Sequence, residues 1–154
     1  MEVIILKIKM NWKSFKWSFG LKPNFKNSKE NGEYGEWLGQ KHLKNKGFRV
    51  LYSNWRSSRD RRNEIDLICM DQEMLVFVEI RARSENSFTT GFESLNKRKR
   101  KALLISFKAY LREMSVIPNS YRFDLVEIDL PSTSTRNVKV FHHENIAIFH
   151  ESLH

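Results

Sequence analysis

The sequence predicts a single α/β domain in which helices flank a mixed β-sheet, in the order α-β-β-β-α-β. Three observations predict it. Two apolar runs, Ile65–Met70 and Met74–Ile80, lie either side of the polar break Asp71-Gln72-Glu73, which is the pattern of a buried β-hairpin. A stretch with helical character from Asn96 to Met114 separates that hairpin from a further strand at Tyr121–Leu130, so the third and fourth strands can run parallel with the helix crossing between them. A first helix over Gly32–Lys46 precedes the strands, with Gly47 as its C-terminal stop.

In chain order, residues 1–31 read as a basic, flexible extension, 32–150 as the folded domain and 151–154 as a tail. The first 29 residues interleave seven lysines with aromatics, and Trp12, Phe15 and Phe19 fall on one helical face. Such an arm suits stacking on single-stranded bases, lying on an anionic membrane surface, docking an acidic partner, or no ordered role at all. Pro23 and the stretch Asn24–Gly32 read as a linker. In the first helix Tyr34, Trp37, Leu38 and Leu43 are the apolar contacts, and Glu36 shares a side with Gly39 and Leu43. A mid-helix glycine costs about 1 kcal/mol relative to alanine, which makes sense where another backbone passes close to Gly39.

Phe48–Asn54 reads as the first strand, followed by a basic loop, Trp55–Arg62, carrying Arg56, Arg59, Arg61 and Arg62. Arginine matches phosphate bidentately, and loops commonly carry such contacts. Beyond the hairpin, Ser84–Glu93 is a polar loop and Asn96 a cap for the second helix. That helix opens with Lys97, Arg98, Lys99, Arg100 and Lys101, five cations at the positive end of the helix dipole, each unfavourable by roughly 0.3–1 kcal/mol. Phosphate contacts would explain them. After the Tyr121–Leu130 strand come a turn-rich loop at Pro131–Asn137, a last strand at Val138–His142 and a short element at Asn145–Phe149. His142, His143, His150 and His154 lack the companion cysteines and ordered spacing of a zinc site.

The chain of 154 residues has a net charge of +9, and the excess sits at the front. Residues 1–63 hold 15 Lys/Arg against 5 Asp/Glu, while residues 64–154 hold 12 against 13. A positive field of this kind favours polyanions, nucleic acid above all. The single cysteine, Cys69, lies inside an apolar strand, so no internal disulfide can form and the chain reads as cytoplasmic. Its apolar runs are too short for a signal-peptide core or a membrane span. Glycine-rich phosphate loops, zinc-finger spacings, nucleophile elbows and internal repeats are all absent.

The charges inside the hairpin carry most of the functional information. With a two-residue loop at Gln72-Glu73, Asp71 pairs with Met74, and Asp66 comes to lie opposite Glu79 and Glu64 opposite Arg81, on one face. A three-residue loop would instead put Asp66 opposite Val78 and send the acids to different faces. Two carboxylates held about 5 Å apart among apolar neighbours call for a compensating cation. Hard oxygen ligands suit Mg²⁺ or Mn²⁺, and Arg81 would add a fixed positive charge beside whatever the metal holds.

Several segments together carry a family resemblance: Gly32-xxx-Glu36, Asn54-Trp55-Arg56, Glu64-Ile-Asp-Leu-Ile68, Val76-Phe-Val-Glu-Ile-Arg-Ala-Arg83, Lys99, and Arg122-Phe-Asp124. On these residues the chain resembles the PD-(D/E)XK nuclease superfamily, and more closely the YraN-like family of uncharacterised bacterial proteins related to archaeal Holliday-junction resolvases. The resemblance spans about Gly32–Phe149 and implies a restriction-endonuclease-like core. It also implies Mg²⁺ or Mn²⁺ held by Asp66, Glu79, the carbonyl of Ile80 and Glu36, with DNA as partner and a homodimer for cutting two strands. Arg81 stands where the superfamily pattern has lysine, Asn63 where the family usually has glycine, and Arg100 where it often has glutamine. Arginine stays protonated and cannot serve as a general base, but it can hold a phosphate.

The expected activity is therefore that of a metal-dependent endonuclease acting on DNA, branched DNA included. Its catalytic set is Glu36, Asp66, Glu79 and Arg81, and its DNA contacts are Arg56, Arg61, Arg62, Arg83, Lys97, Lys99 and Arg100. The alternative from another class is a non-catalytic nucleic-acid-binding module with the same fold.

Overall fold

A computed structural model of the chain describes residues 12–23, 27–84, 93, 95–116, 118–132 and 137–148. Its elements are α1 (Trp12–Ser18), α2 (Ser28–Asn45), β1 (Arg49–Trp55), β2 (Ile65–Asp71), β3 (Met74–Ser84), α3 (Lys97–Glu113), β4 (Tyr121–Leu130) and β5 (Lys139–His143). The five strands form one sheet in the order β1-β2-β3-β4-β5. All neighbours are antiparallel except β3 and β4, which run parallel because α3 crosses between them. This is the mixed sheet that the sequence predicts, and it is consistent with a restriction-endonuclease-like core.

Side-chain alternation divides the core into two layers. Leu67, Cys69, Val76, Val78 and Val126 pack on the face covered by α2, whereas Ile68, Leu75, Phe77, Phe123 and Leu125 pack on the face covered by α3. On the second face Phe77 stacks on Phe107 at 4.3 Å between ring centroids. Burying a side chain of this size contributes about 1.5–3 kcal/mol. Cys69 is wholly buried among apolar neighbours, and that burial pushes its thiol up to about 12, which leaves it a packing residue.

The helix ends follow local chemistry. Asn27 caps α2 by accepting from the N–H groups of Lys29 and Glu30, so the helix starts four residues before the expected Gly32. Gly47 closes it in the left-handed region at φ 91°, and Asn96 caps α3 by accepting from the Lys99 N–H at 2.9 Å. Of the short final element expected at Asn145–Phe149, residues 145–148 carry no helix or strand, and Phe149 lies outside the described residues. The polar loop at 85–92 and His150 and His154 also lie outside them.

Part of the segment expected as an extension packs onto the domain. Trp17 is 7% exposed, with its ring 5.2 Å from Tyr34 and 5.9 Å from Trp37, and Lys13 pairs with Glu33 at 2.6 Å. Trp12 and Phe15, on the face that spacing singled out, are exposed on α1, and Phe19 is exposed just past its end. Periodicity identified an apolar face, but the partners for the opposite face lie on α2, out of reach of any local pattern.

Two glycines let α2 lie close against β3. A Cβ at Gly35 would run into the Cβ of Ala82, with the Ala82 Cα only 3.4 Å away. A Cβ at Gly39 would meet the Ile80 side chain at 2.8–3.2 Å. The expected close approach is therefore real, but the backbone contact is at Gly35, and Gly39 meets a side chain. Gly35→Ala is expected to destabilise the fold by about 1–3 kcal/mol, the usual overpacking range. Gly39→Ala should be milder, because only the Ile80 side chain must yield and alanine regains about 1 kcal/mol of helix propensity. Urea unfolding of the two variants tests the order, and a Gly35→Ala protein as stable as the wild type would contradict the contact.

Candidate metal and phosphate site

The hairpin turns at Gln72 and Glu73, with Gln72 in the left-handed region at φ 52°. Asp71 pairs with Met74 and the register runs back to Leu67–Val78, as the two-residue loop requires. One step further stand Asp66 and Glu79. They do not form another rung, because Asp66 Oδ2 accepts the Ile80 N–H at 2.8 Å. The ladder thus also stops short of the expected Glu64–Arg81 pair; Glu64 ion-pairs with Arg56, and Arg81 turns to Glu79.

Both carboxylates are buried, Glu79 at 1% exposure and Asp66 at 9%. Two cations converge on one oxygen of Glu79: Lys99 Nζ at 2.9 Å from α3, and Arg81 Nη2 at 3.1 Å from β3 itself, both to Oε1. The other oxygen, Oε2, is buried without a hydrogen-bond partner, and so is Arg81 Nε. Burial is the main reason the Glu79 carboxyl is pushed up to about 7, and the Asp66 charge adds to it, while Lys99 and Arg81 pull the other way. Burial also raises Asp66, against the Ile80 N–H bond that holds its charged form.

Glu36, on α2, lies near enough to Asp66 to feel its charge. Burial raises its carboxyl first and the Asp66 charge second, and Asn54 Nδ2 donates to its Oε2 at 3.3 Å. Asn54 was absent from the expected site, although the sequence held a signal for it. It is the next-to-last residue of β1, at φ 53°, a conformation that asparagine tolerates better than most residues. Among the described residues no three His, Cys, Asp or Glu side chains cluster closely enough to hold a metal, so Glu36 flanks the Asp66–Glu79 pair without closing a triad. Ile80 gives its N–H to Asp66, and because a strand residue turns its N–H and C=O to the same side, its carbonyl faces that side too. The donor set, carboxylate oxygens with one left unpartnered in a buried site, fits a hard divalent cation.

Most of the expected DNA contacts have partners within the chain. Arg56 binds Glu64 and the Arg61 carbonyl; Arg62 forks onto Asp60 at 2.8 and 2.9 Å, holding that carboxyl down at about 2. Arg83 reaches Asp129 at 2.7 Å and Glu127 at 3.1 Å, and Arg100 donates to the Leu95 carbonyl at 2.6 Å. Lys99 belongs to Glu79. Arg61 and Lys97 keep exposed side chains with no ion pair among the described residues. The acids that claim Arg83 sit on β4, beyond the crossover, where sequence proximity gives no hint of them.

A further buried acid, Asp124, lies on the α2 face and is fully satisfied. Burial would raise it, but the His142 ring, the Arg122 guanidinium and the Asn145 N–H outweigh that and hold it below the usual carboxylate range. It clamps β4 to β5 and the following turn. His143 contacts Glu127, so each described C-terminal histidine serves an acid of β4.

The profile of a group described as an uncharacterised protein family, UPF0102, matches residues 35–128. A UPF0102 protein of Carboxydothermus hydrogenoformans is 32% identical over 123 residues, covering 80% of this chain and 99% of that one. One from Alkaliphilus oremlandii is 34% identical over 120 residues, covering 77% and 97%. A third, from Psychromonas ingrahamii, is 36% identical over 107 residues, covering 70% and 84%. These matches agree with the YraN-like, uncharacterised family that the motifs suggest.

The buried Glu79 makes a prediction about stability. Its folded carboxyl titrates at about 7 against an ordinary 4.5, so between those values the folded state keeps a proton that the unfolded state has lost. Stability therefore falls as pH rises from about 4.5 to about 7. Glu79→Gln is expected to flatten that slope. Melting temperatures across the interval check it, and an unchanged slope in the variant would assign the effect to other groups.

Proposed function

Because the chain belongs to the uncharacterised protein family UPF0102, its function has to be argued from its own residues, and we propose that it is a metal-dependent endonuclease-like protein that binds DNA and hydrolyses phosphodiester bonds. One observation carries this reading. A buried Glu79 presents an unpartnered oxygen beside a buried Asp66, at a point where two cations also converge.

In this reading Asp66 and Glu79 hold Mg²⁺ or Mn²⁺, with the Ile80 carbonyl and Glu36 as further oxygen donors. When bound, the ion supplies Lewis-acid polarisation of the phosphodiester and lowers the pKa of water. The chain's own residues do the positioning. Asn54 orients Glu36, the Ile80 N–H fixes the Asp66 carboxylate so that one oxygen stays available, and Arg81 offers a permanent positive charge to the developing charge on phosphate. Arg81 cannot take a proton, so its part is electrostatic. Arg61 and Lys97 would meet the backbone further out, and the net charge of +9 favours approach of a polyanion. Branched DNA is the substrate structure that the family resemblance suggests.

Arg81 and the intramolecular pairing of the other cations favour the second reading, a non-catalytic nucleic-acid-binding module. One experiment separates the two. Purified protein incubated with linear and branched DNA in Mg²⁺ or Mn²⁺ is expected to cleave, and Asp66→Ala to lose at least about 100-fold in rate, as removal of a charge-stabilising group typically does. Salt-dependent DNA binding with no cleavage above Asp66→Ala would leave the binding module as the function.

A further inference from the structure

We propose that Lys99 is an exchangeable counter-ion of Glu79, released to the DNA phosphate when a divalent cation arrives, so that cation and phosphodiester each strengthen the binding of the other. The proposal rests on the metal-site reading above and concerns how that site is filled.

The argument begins with charge. The four innermost groups are Asp66, Glu79, Arg81 and Lys99, and their formal charges cancel. A divalent cation bound between the acids leaves an excess of two positive charges on these four groups, and of one when the Glu36 carboxylate is ionised beside them. A phosphodiester offsets part of that excess and gives a displaced ammonium a new partner.

Geometry decides which cation exchanges. Arg81 lies two residues from Glu79 on the same strand, and its Nε is buried, so it has little freedom to leave. Lys99 reaches in from the first turn of α3, and its backbone N–H is already fixed by the Asn96 cap. Only its flexible four-carbon stem must move. Exposure does not separate the two, at 28% for the Lys99 side chain and 33% for that of Arg81, so the distinction rests on the buried Arg81 Nε and on the free stem of Lys99. The sequence rule that Lys99 breaks, a cation at a helix N-terminus, is then met in both states: Glu79 neutralises it in the empty site and phosphate in the filled one.

Two titrations test this. The first is Mn²⁺ binding without DNA, by calorimetry. Lys99→Met is expected to bind Mn²⁺ about tenfold more tightly than the wild type, within the usual range of coupling between sites. Lys99→Arg, which keeps the charge, and Lys97→Met, which removes one from the exposed neighbour, should stay within about twofold of the wild type. The second is anisotropy of a short labelled phosphorothioate duplex at constant ionic strength. Mn²⁺ should tighten wild-type binding at least about fivefold and Lys99→Met binding less than about twofold.

Mn²⁺ binding that Asp66→Ala abolishes but Lys99→Met leaves unchanged would overturn the exchange alone. So would an equal effect of Lys97→Met, which would reduce it to general charge. If the wild type bound no Mn²⁺ with or without DNA, the metal-site reading and the exchange would fall together.

Discussion

Two carboxylates buried at the open end of an apolar hairpin set the terms for the rest of the structure. Removing a charge from water is worth several kcal/mol against folding even after relaxation. Two elements around Asp66 and Glu79 reduce that penalty, while Glu36 on α2 adds a like charge beside Asp66. β3 contributes the Ile80 N–H and Arg81, and α3 brings Lys99. What stays unreduced is confined to one oxygen of Glu79 and one nitrogen of Arg81. Buried polar atoms are normally satisfied, and here an unpartnered oxygen and an unpartnered nitrogen lie on two side chains of opposite sign that touch each other.

The parallel pairing of β3 with β4 explains why this spot is reachable. An antiparallel hairpin alone would leave Glu79 among strands. The crossover carries the chain back over one face, so that α3 begins near the acids with its dipole and its cations. α2 approaches from the other face with Glu36. These groups thus come from four segments, α2, β2, β3 and α3, of which only β2 and β3 are joined by a tight turn.

That arrangement accounts for how much could be read in advance. The hairpin, its register from Asp71–Met74 back to Leu67–Val78, and the Asn96 cap follow from local patterns: two apolar runs, a two-residue break, and a capping side chain three residues before the N–H it serves. The basic residues were another matter. Arg56 and Arg83 look alike in sequence as phosphate ligands, yet Glu64 claims the first and Asp129 with Glu127 the second. Lys99 was legible as a cation that opposes its helix, but its partner was not, since Glu79 lies twenty residues away in sequence. Trp17 was hidden for the same reason, its ring stack being supplied by α2. Patterns along the chain reveal faces; which charges cancel is decided by topology.

Gly35 stands next to Glu36, and its missing methyl group lets α2 rest on the backbone of β3 at Ala82. Ala82 in turn lies three residues beyond Glu79. The depth at which Glu36 enters is consequently set, like a stop on a gauge, by two missing methyl groups, one over Ala82 and one over the Ile80 side chain. An acid mounted in this way keeps its place only while Gly35, Gly39, Ala82 and Ile80 keep theirs, which ties the spacing of the acids to four small or close-packed positions.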